Sequence, residues 1–549
     1  LRNYETHRST FFEYDHAGRC MASTEKSFTG SGSSIAYGTT VAAYNYKYDA
    51  NNRLAKLTHT LAGYTWSTEY SYDADGRQSL VKLNNGKTIE YAYGTSTGRP
   101  DKITLHLDTD YVVDWTYKSG ANGSATSLLS TYANGSDAKY NYDYDANGNI
   151  TRIWRGNTSF TNASEKYSYV YDSANQLVRE NLYYGSGNSS NATITYEYDI
   201  WGNLLNKKIY AYTVGTLGTA RETVPYAYTN SAWKDQLTSY DGESITYDAS
   251  GNPTNYLGAT LVWEGQRLKS YTPKDASSGR ANSYVYSYDE NGIRTRKTIG
   301  STVTDYYYNG TLLMGTVKTT TNSDGSTTTS KLRFSYDANG KVVAVNYNGN
   351  YYYYLRNAQS DIVKLIDKTG ATVVEYAYLN SDLAAVEVGF LGKLLSTSGS
   401  LASTLGKNNP FRYRGYVYDE ETGFYYLQSR YYNPEVGRFI SSDVLLSTGQ
   451  GVLGHNAYAY CLNNPVNMSD SCGLYAEAIK PLDKAGGGSV DIVTAIGSII
   501  ATITVAITKA ASSDAETDAK PNTDSRTRPK PPKGDEEEPA VYTVYGLID

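Results

Sequence analysis

Nine times along this chain a tyrosine is followed by an aspartate and then by a short polar corner. The copies read YDHAGR at Tyr14, YDANNR at Tyr48, YDADGR at Tyr72, YDANGN at Tyr144, YDSANQ at Tyr171, YDIWGN at Tyr198, YDASGN at Tyr247, YDENGI at Tyr288 and YDANGK at Tyr336. A degenerate copy, YGTSTGR, starts at Tyr93. Tyr48 to Tyr72 is 24 residues, and Tyr144 to Tyr171 and Tyr171 to Tyr198 are 27 each. Other intervals are about twice as long, as expected where copies have decayed. Self-similarity at a recurring period marks a repeat architecture, in which one small unit stacks on the next.

The stretch KYNYDYDANGNITRI at 139–153 shows what one unit is. Tyr140, Tyr142 and Tyr144 have period two and so share one face of a strand. The carboxylate of Asp145 can accept backbone N–H groups two or three residues on, which favours Asp at the first turn position. Gly148 falls fourth in a type I turn, where a positive φ is often needed. Asn149, Ile150 and Thr151 begin the return strand. Each copy therefore reads as a hairpin with its corner written in, and its aspartate as a turn former and not a catalyst. An isolated hairpin is unstable, so neighbouring copies must pair edge to edge into one sheet. Twist forces so long a sheet to curl, close or split, which leaves a propeller, a solenoid or a wound shell.

Composition narrows this. There are 58 tyrosines against nine phenylalanines in 549 residues. Tyrosine favours strands and has an apolar ring with a polar tip, which suits a sheet wall with two semi-polar faces better than a dry core. A net charge of −6 provides no basic field, so the bulk of the chain is not expected to bind nucleic acid. Cys20, Cys461 and Cys472 make neither a disulfide framework nor a CxxC pair, and the five histidines lack metal-ligand spacing. No cofactor or metal is expected.

The repeats resemble the YD (RHS) repeats of bacterial RHS proteins, of toxin-complex C components and of animal teneurins. A second stretch, FRYRGYVYDEETGFYYLQSRYYNPEVGRFISSDV followed by NAYAYCLNNPVNMSDSCGL within 410–474, looks like the RHS-repeat-associated core domain. LRNAQSDIVKLIDKTGATVVEYAY at 355–378 fits the strand-rich lead-in of that family. The resemblance implies an all-β fold: a large hollow spiral β-sheet shell at 1–378, closed by the core domain at 379–474. A short, partly helical or disordered tail follows. A single-layer wall of this kind would have no dry core on either face, which suits tyrosine ladders.

Some members of that family cut their own chain after the core domain with a pair of aspartates. Carried over, Asp443 and Asp470 are the candidate catalytic pair, with cleavage between Leu474 and Tyr475. Two carboxyls sharing a proton can activate water and protonate a leaving amide. Arg430 and Arg438 are the candidate supporting residues, since a guanidinium can pair with and orient carboxylates. The chain departs from the family pattern at Val444 and Ser471, each in place of proline, and at Asn433 in place of aspartate.

Composition changes after Leu474. Residues 475–510 contain an uncharged run, IVTAIGSIIATITVAIT at 492–508, at the lower edge of membrane-span length. It reads as a membrane-active segment or as a hydrophobic stretch sheltered by the shell. Residues 511–540 read as a disordered Pro-rich and charged linker, and 541–549 as the truncated start of a cargo domain. The expected function is encapsulation and delivery of a variable C-terminal toxin. The expected partners are that cargo, an immunity protein and secretion-system components. The expected location is secreted or cell-surface associated in a bacterium, with an export signal upstream of Leu1 or a dedicated export system. The alternative is a wall-associated repeat protein that binds carbohydrate or another cell. A carbohydrate-active propeller enzyme fits worst, because turns account for nearly all the aspartates.

Overall fold

The structure, a computed structural model, describes residues 2–479 apart from 4–6, 32–33, 96–97, 138, 276–281, 379–390, 446–447 and 449. The chain divides into two compact units, Leu1–Ala501 and Thr502–Asp549. The second lies wholly outside the described residues, as do the apolar run at 492–508, the expected linker at 511–540 and the expected start of a cargo domain at 541–549. Among the described residues no helix is long and apolar enough to cross a membrane.

Thirty-three strands, from Arg2–Asn3 to Ser396–Ser398, form one antiparallel sheet. Each strand pairs with the one before it and the one after it in the chain. The sheet does not close into a barrel but winds as a spiral shell, the all-β fold expected from the repeat. The corners form as the sequence predicts, with one difference. Asp145 Oδ1 accepts the N–H groups of Asn147 and Asn149, both at 2.9 Å, which are two and four residues on, while Gly148 N–H bonds the Asp145 carbonyl at 3.1 Å. The pairing slips by one residue at each corner, as between Asp143 and Tyr144, so the hairpin carries a bulge. Gly148 has φ +84°; Asn52 and Asn175, which replace that glycine in two copies, take φ +65° and +61°, which asparagine tolerates best among the other residues.

Two further corners were hidden from the motif. Asn357 does what Asp does elsewhere, accepting the N–H groups of Gln359 and Asp361, and Asp367 accepts those of Thr369 and Ala371.

The tyrosine of the motif has a specific partner. Tyr48 donates its hydroxyl to the Cys20 carbonyl, Tyr72 to Leu54, Tyr171 to Ile150 and Tyr198 to Leu177, at 2.7–3.0 Å. Each acceptor is the first residue of the return strand in the preceding copy. Phenylalanine could pack there but could not make this bond. The tyrosine excess is therefore a latch between copies as well as a wall lining.

The expectation of a wall with no dry core on either face is corrected by the late strands. Adjacent side chains of a strand point to opposite faces. Tyr353 meets Asn85 of the early wall at 2.9 Å, while its neighbour Tyr354 meets Asn409 of the C-terminal segment at 2.6 Å. Likewise Arg333 lies over the ring of Tyr64, 4.4 Å from its centroid, and Phe334 packs edge-on against Phe411. Here the curled sheet has met its own beginning on one face and the C-terminal segment on the other. Val342–Tyr347 and Ile362–Ile366 accordingly read as nearly continuous apolar runs and not as alternation.

The C-terminal segment adds a small sheet of Val417–Asp419, Phe424–Tyr426, Tyr431–Asn433 and Arg438–Phe439. It acts as a clamp that runs back along the repeat corners as the chain advances. Arg414 pairs with Asp361 at 3.0 Å, and Arg294 chelates Asp419 with both partners fully buried. Tyr458 reaches the Gly251 carbonyl, Asn456 reaches Asn203, Asn463 reaches Gln176 and Asn464 reaches Asn149, all at 2.9–3.0 Å.

Candidate active site

The clamp ends on a tight turn, Asp470 to Leu474. Asp470 Oδ1 accepts the N–H groups of Gly473 at 2.7 Å and Leu474 at 3.1 Å, and the Asp470 N–H donates to the Tyr416 hydroxyl at 2.7 Å. Gly473 has φ +75°, and a Cβ there would sit 2.6 Å from Ser429 Oγ and 3.0 Å from the Leu427 carbonyl, so only glycine fits. Ser429 Oγ lies 2.7 Å from the Cys472 carbonyl and 2.9 Å from that of Gly473.

Arg430 draws the two candidate aspartates together. Its Nη2 lies 2.8 Å from Asp443 and 3.7 Å from Asp470, while Nη1 donates to the Ala457 carbonyl and Nε to that of Gly473. The guanidinium stacks 3.6 Å from the centroid of Phe439. Asp443 is held by its own N–H on the Ala457 carbonyl at 3.0 Å and by the Leu445 N–H on its Oδ1 at 2.8 Å. Backbone hydrogen bonds thus fix both carboxylates where the family pattern has proline, and neither Val444 nor Ser471 scatters them.

Both side chains are buried, and burial pushes both carboxyls up. For Asp470 burial dominates over the opposing charge of Arg430 and the N–H groups of Gly473 and Leu474. With a smaller push from Asp443, it titrates at about 6. Arg430 sits closer to Asp443 and favours its ionised form. Both raised carboxyls share Arg430, and in mildly acid solution, up to about pH 6, Asp470 retains a proton, as acid–base hydrolysis requires of one partner.

Arg430, Asp443, Asp470, Leu474 and Tyr475 line one cavity of about 20 Å³, room for about one water molecule. Just beyond, Glu477–Ala478 pairs antiparallel with Met468–Ser469, and Gln450 Nε2 donates to the Ala476 carbonyl at 2.8 Å. The chain past Leu474 is held extended, the conformation in which peptides are commonly presented to a binding groove. Cys472 lies 3.9 Å from Asp470, but burial pushes its thiol up to about 12, which removes it as a nucleophile.

One expected supporting residue does not join this cluster. Arg438 points away, donating to the Asp235 carbonyl and to Asn456, so it fixes clamp to wall and touches neither aspartate. Asn433 caps its own turn through the Glu435 N–H and reaches Tyr256. Ser429, Tyr416 and Gln450 were missed. Ser429 could have been suspected beside Arg430, but nothing in the sequence marks the other two.

No family model matches the chain. It is 37% identical over 240 residues to the tRNA nuclease WapA of Bacillus subtilis strain 168, covering 44% of this chain and 9% of that protein. It is 48% identical over 65 residues to the toxin protein Tse5 of Pseudomonas aeruginosa, covering 12% of this chain and 5% of that one. The chain thus spans less than a tenth of the length of these curated relatives. In fold it is similar to the crystal structure of TcdB2–TccC3, with a TM-score of 0.57 and 20% identity over 85% of this chain and 24% of that one. At that identity the likeness is one of fold alone.

Proposed function

We propose that this chain is the shell-and-clamp part of a bacterial toxin, which encloses a C-terminal effector and frees it by cutting its own backbone between Leu474 and Tyr475. The observation that carries the reading is the shared cavity: two buried carboxyls, their common arginine and the bond itself. In the step envisaged, the Asp443 carboxylate takes a proton from water as its oxygen attacks the Leu474 carbonyl carbon. Asp470 gives its proton to the carbonyl oxygen. The resulting tetrahedral species then breaks its C–N bond with a proton passing to the Tyr475 nitrogen. The products are a Leu474 carboxylate and a free Tyr475 amine. The similarity to WapA and Tse5 supports a toxin, and the fold shared with TcdB2–TccC3 supports an enclosing wall. Such a protein would be exported and would meet its effector, and the effector's immunity protein, as partners.

The test is to express the chain of residues 1–549 and follow it by gel and mass spectrometry beside Asp443→Asn and Asp470→Asn. Cutting in the wild type and loss of cutting in both variants are expected. An intact wild-type chain, or cutting that ignores both substitutions, would end this reading.

A further inference from the structure

A second cavity, remote in sequence from the aspartate pair, lies between the early wall and the late strands. It has a volume of about 80 Å³ and is lined by Ile89, Leu105 and Trp115 on apolar parts of its wall and by Asp337, Lys341 and Arg356 on the charged part. On the measure by which one water needs roughly 10–15 Å³, it has room for a ligand of some six heavy atoms.

Its charges do not balance. Arg294, Arg414 and Arg430, buried at the clamp, each meet a carboxylate at 3.0 Å or less, whereas the buried Arg412 and Arg438 are held by backbone carbonyls. Among the described residues the Arg356 guanidinium and the Lys341 ammonium meet none within ion-pair distance. The nearby carboxylate, Asp337, is committed elsewhere: Oδ1 accepts the N–H groups of Asn339 and Lys341, and Oδ2 the hydroxyl of Tyr91 at 3.3 Å. Burial, and then the charge of Arg356, hold Lys341 down to about 8, and both side chains line the same cavity. Two cations against one corner carboxylate leave a positive charge inside a largely apolar cavity. Lys341 and Arg356 are both half-buried, and a charge partly withdrawn from water without a partner is one that an anion would stabilise.

We propose that this cavity binds a carboxylate carried on a short apolar stem, the carboxylate bridging Arg356 and Lys341 and the stem lying against Trp115. The same chemistry could come from a free small monocarboxylate or from a glutamate side chain of a peptide.

The experiment is calorimetric titration of the full chain with butyrate, with n-butanol and n-butylamine as neutral and inverted-charge controls, and with a peptide of residues 532–541. Butyrate is expected to saturate one site and neither control to bind. Arg356→Met and Lys341→Met, each checked for folding by circular dichroism, are expected to weaken binding at least tenfold. Binding of the peptide but not of butyrate, with the same sensitivity to the variants, supports the site and assigns the carboxylate to a peptide side chain. Failure of both ligands to bind the wild type, or equal binding to the wild type and to either folded variant, overturns it.

Discussion

Asp15 and Asp470 both close a short corner by accepting two backbone N–H groups on one carboxylate oxygen. At Asp15 the hydrogen bonds from Arg19, first its side chain and then its backbone, hold the carboxyl below its usual value in a corner open to water. At Asp470 burial outweighs Arg430, and the carboxyl rises to about 6. The same turn chemistry thus gives a permanent anion on the wall and a titratable acid under the clamp. What differs is whether water reaches the second oxygen, and that is decided by packing from other parts of the clamp, Tyr416, Arg430 and Asp443 among them.

The repeat corners themselves divide the same way. In early copies the sixth motif residue is arginine, and Arg19, Arg53 and Arg77 pair with their own aspartates while lying over the next tyrosine ring. In the copies under the clamp it is Asn149, Gln176, Asn203 or Asn252, all buried. A guanidinium there would bring charge into a dry interface. An amide keeps the bond to the corner aspartate and, at the first three, still offers a bond to the clamp.

Substitutions can break this contrast in graded steps. The largest effect is expected at Asp419, where Asp419→Leu leaves Arg294 and Lys297 buried without their shared carboxylate. A loss of about 3–5 kcal/mol in denaturant unfolding is expected, with the clamp released from the wall. Next, because Asp470 binds its proton more tightly folded than unfolded, its contribution to stability is complete below about pH 4 and is lost as pH rises through about 6. Asp470→Asn, always neutral, should therefore match the wild type at about pH 4 and exceed it at about pH 8 by on the order of 3 kcal/mol. Asn464→Ala, which unpairs a buried corner amide, should cost about 1–3 kcal/mol. Tyr72→Phe, which removes one latch between copies, should cost about 1 kcal/mol. Asp15→Asn should give the smallest change. It is destabilising at neutral pH, because a lowered carboxyl contributes only while ionised, and the difference should vanish in acid, as thermal melts at two pH values would show.

The strand faces, the corners and the turn role of the repeat aspartates were legible because each is a local rule written in consecutive residues. The pair Asp443 and Asp470 was legible only through a resemblance, since period and spacing make them look like any other corner. The switch from arginine to amide at the sixth motif position is visible in the sequence, but nothing in one chain says what a corner faces. For the same reason Arg438 could not be separated from Arg430. Both are arginines of the clamp buried against aromatic rings, and only the three-dimensional path shows that one meets the aspartates and the other meets Asp235 and Asn456. The two-sided burial of the late strands was signalled by their apolar runs, but which surfaces would cover them depends on how far the sheet curls.

The central claim is that burial keeps one of two clustered aspartates protonated so that the chain can cut itself beside them. The most direct measurement is the rate of appearance of a fragment beginning at Tyr475, read by mass spectrometry from about pH 4 to pH 8. The expected result is that fragment, formed fastest near pH 5–6 and falling as pH rises through the titration of Asp470 at about 6. A fragment starting at another residue, or a rate indifferent to pH across that range, would contradict it.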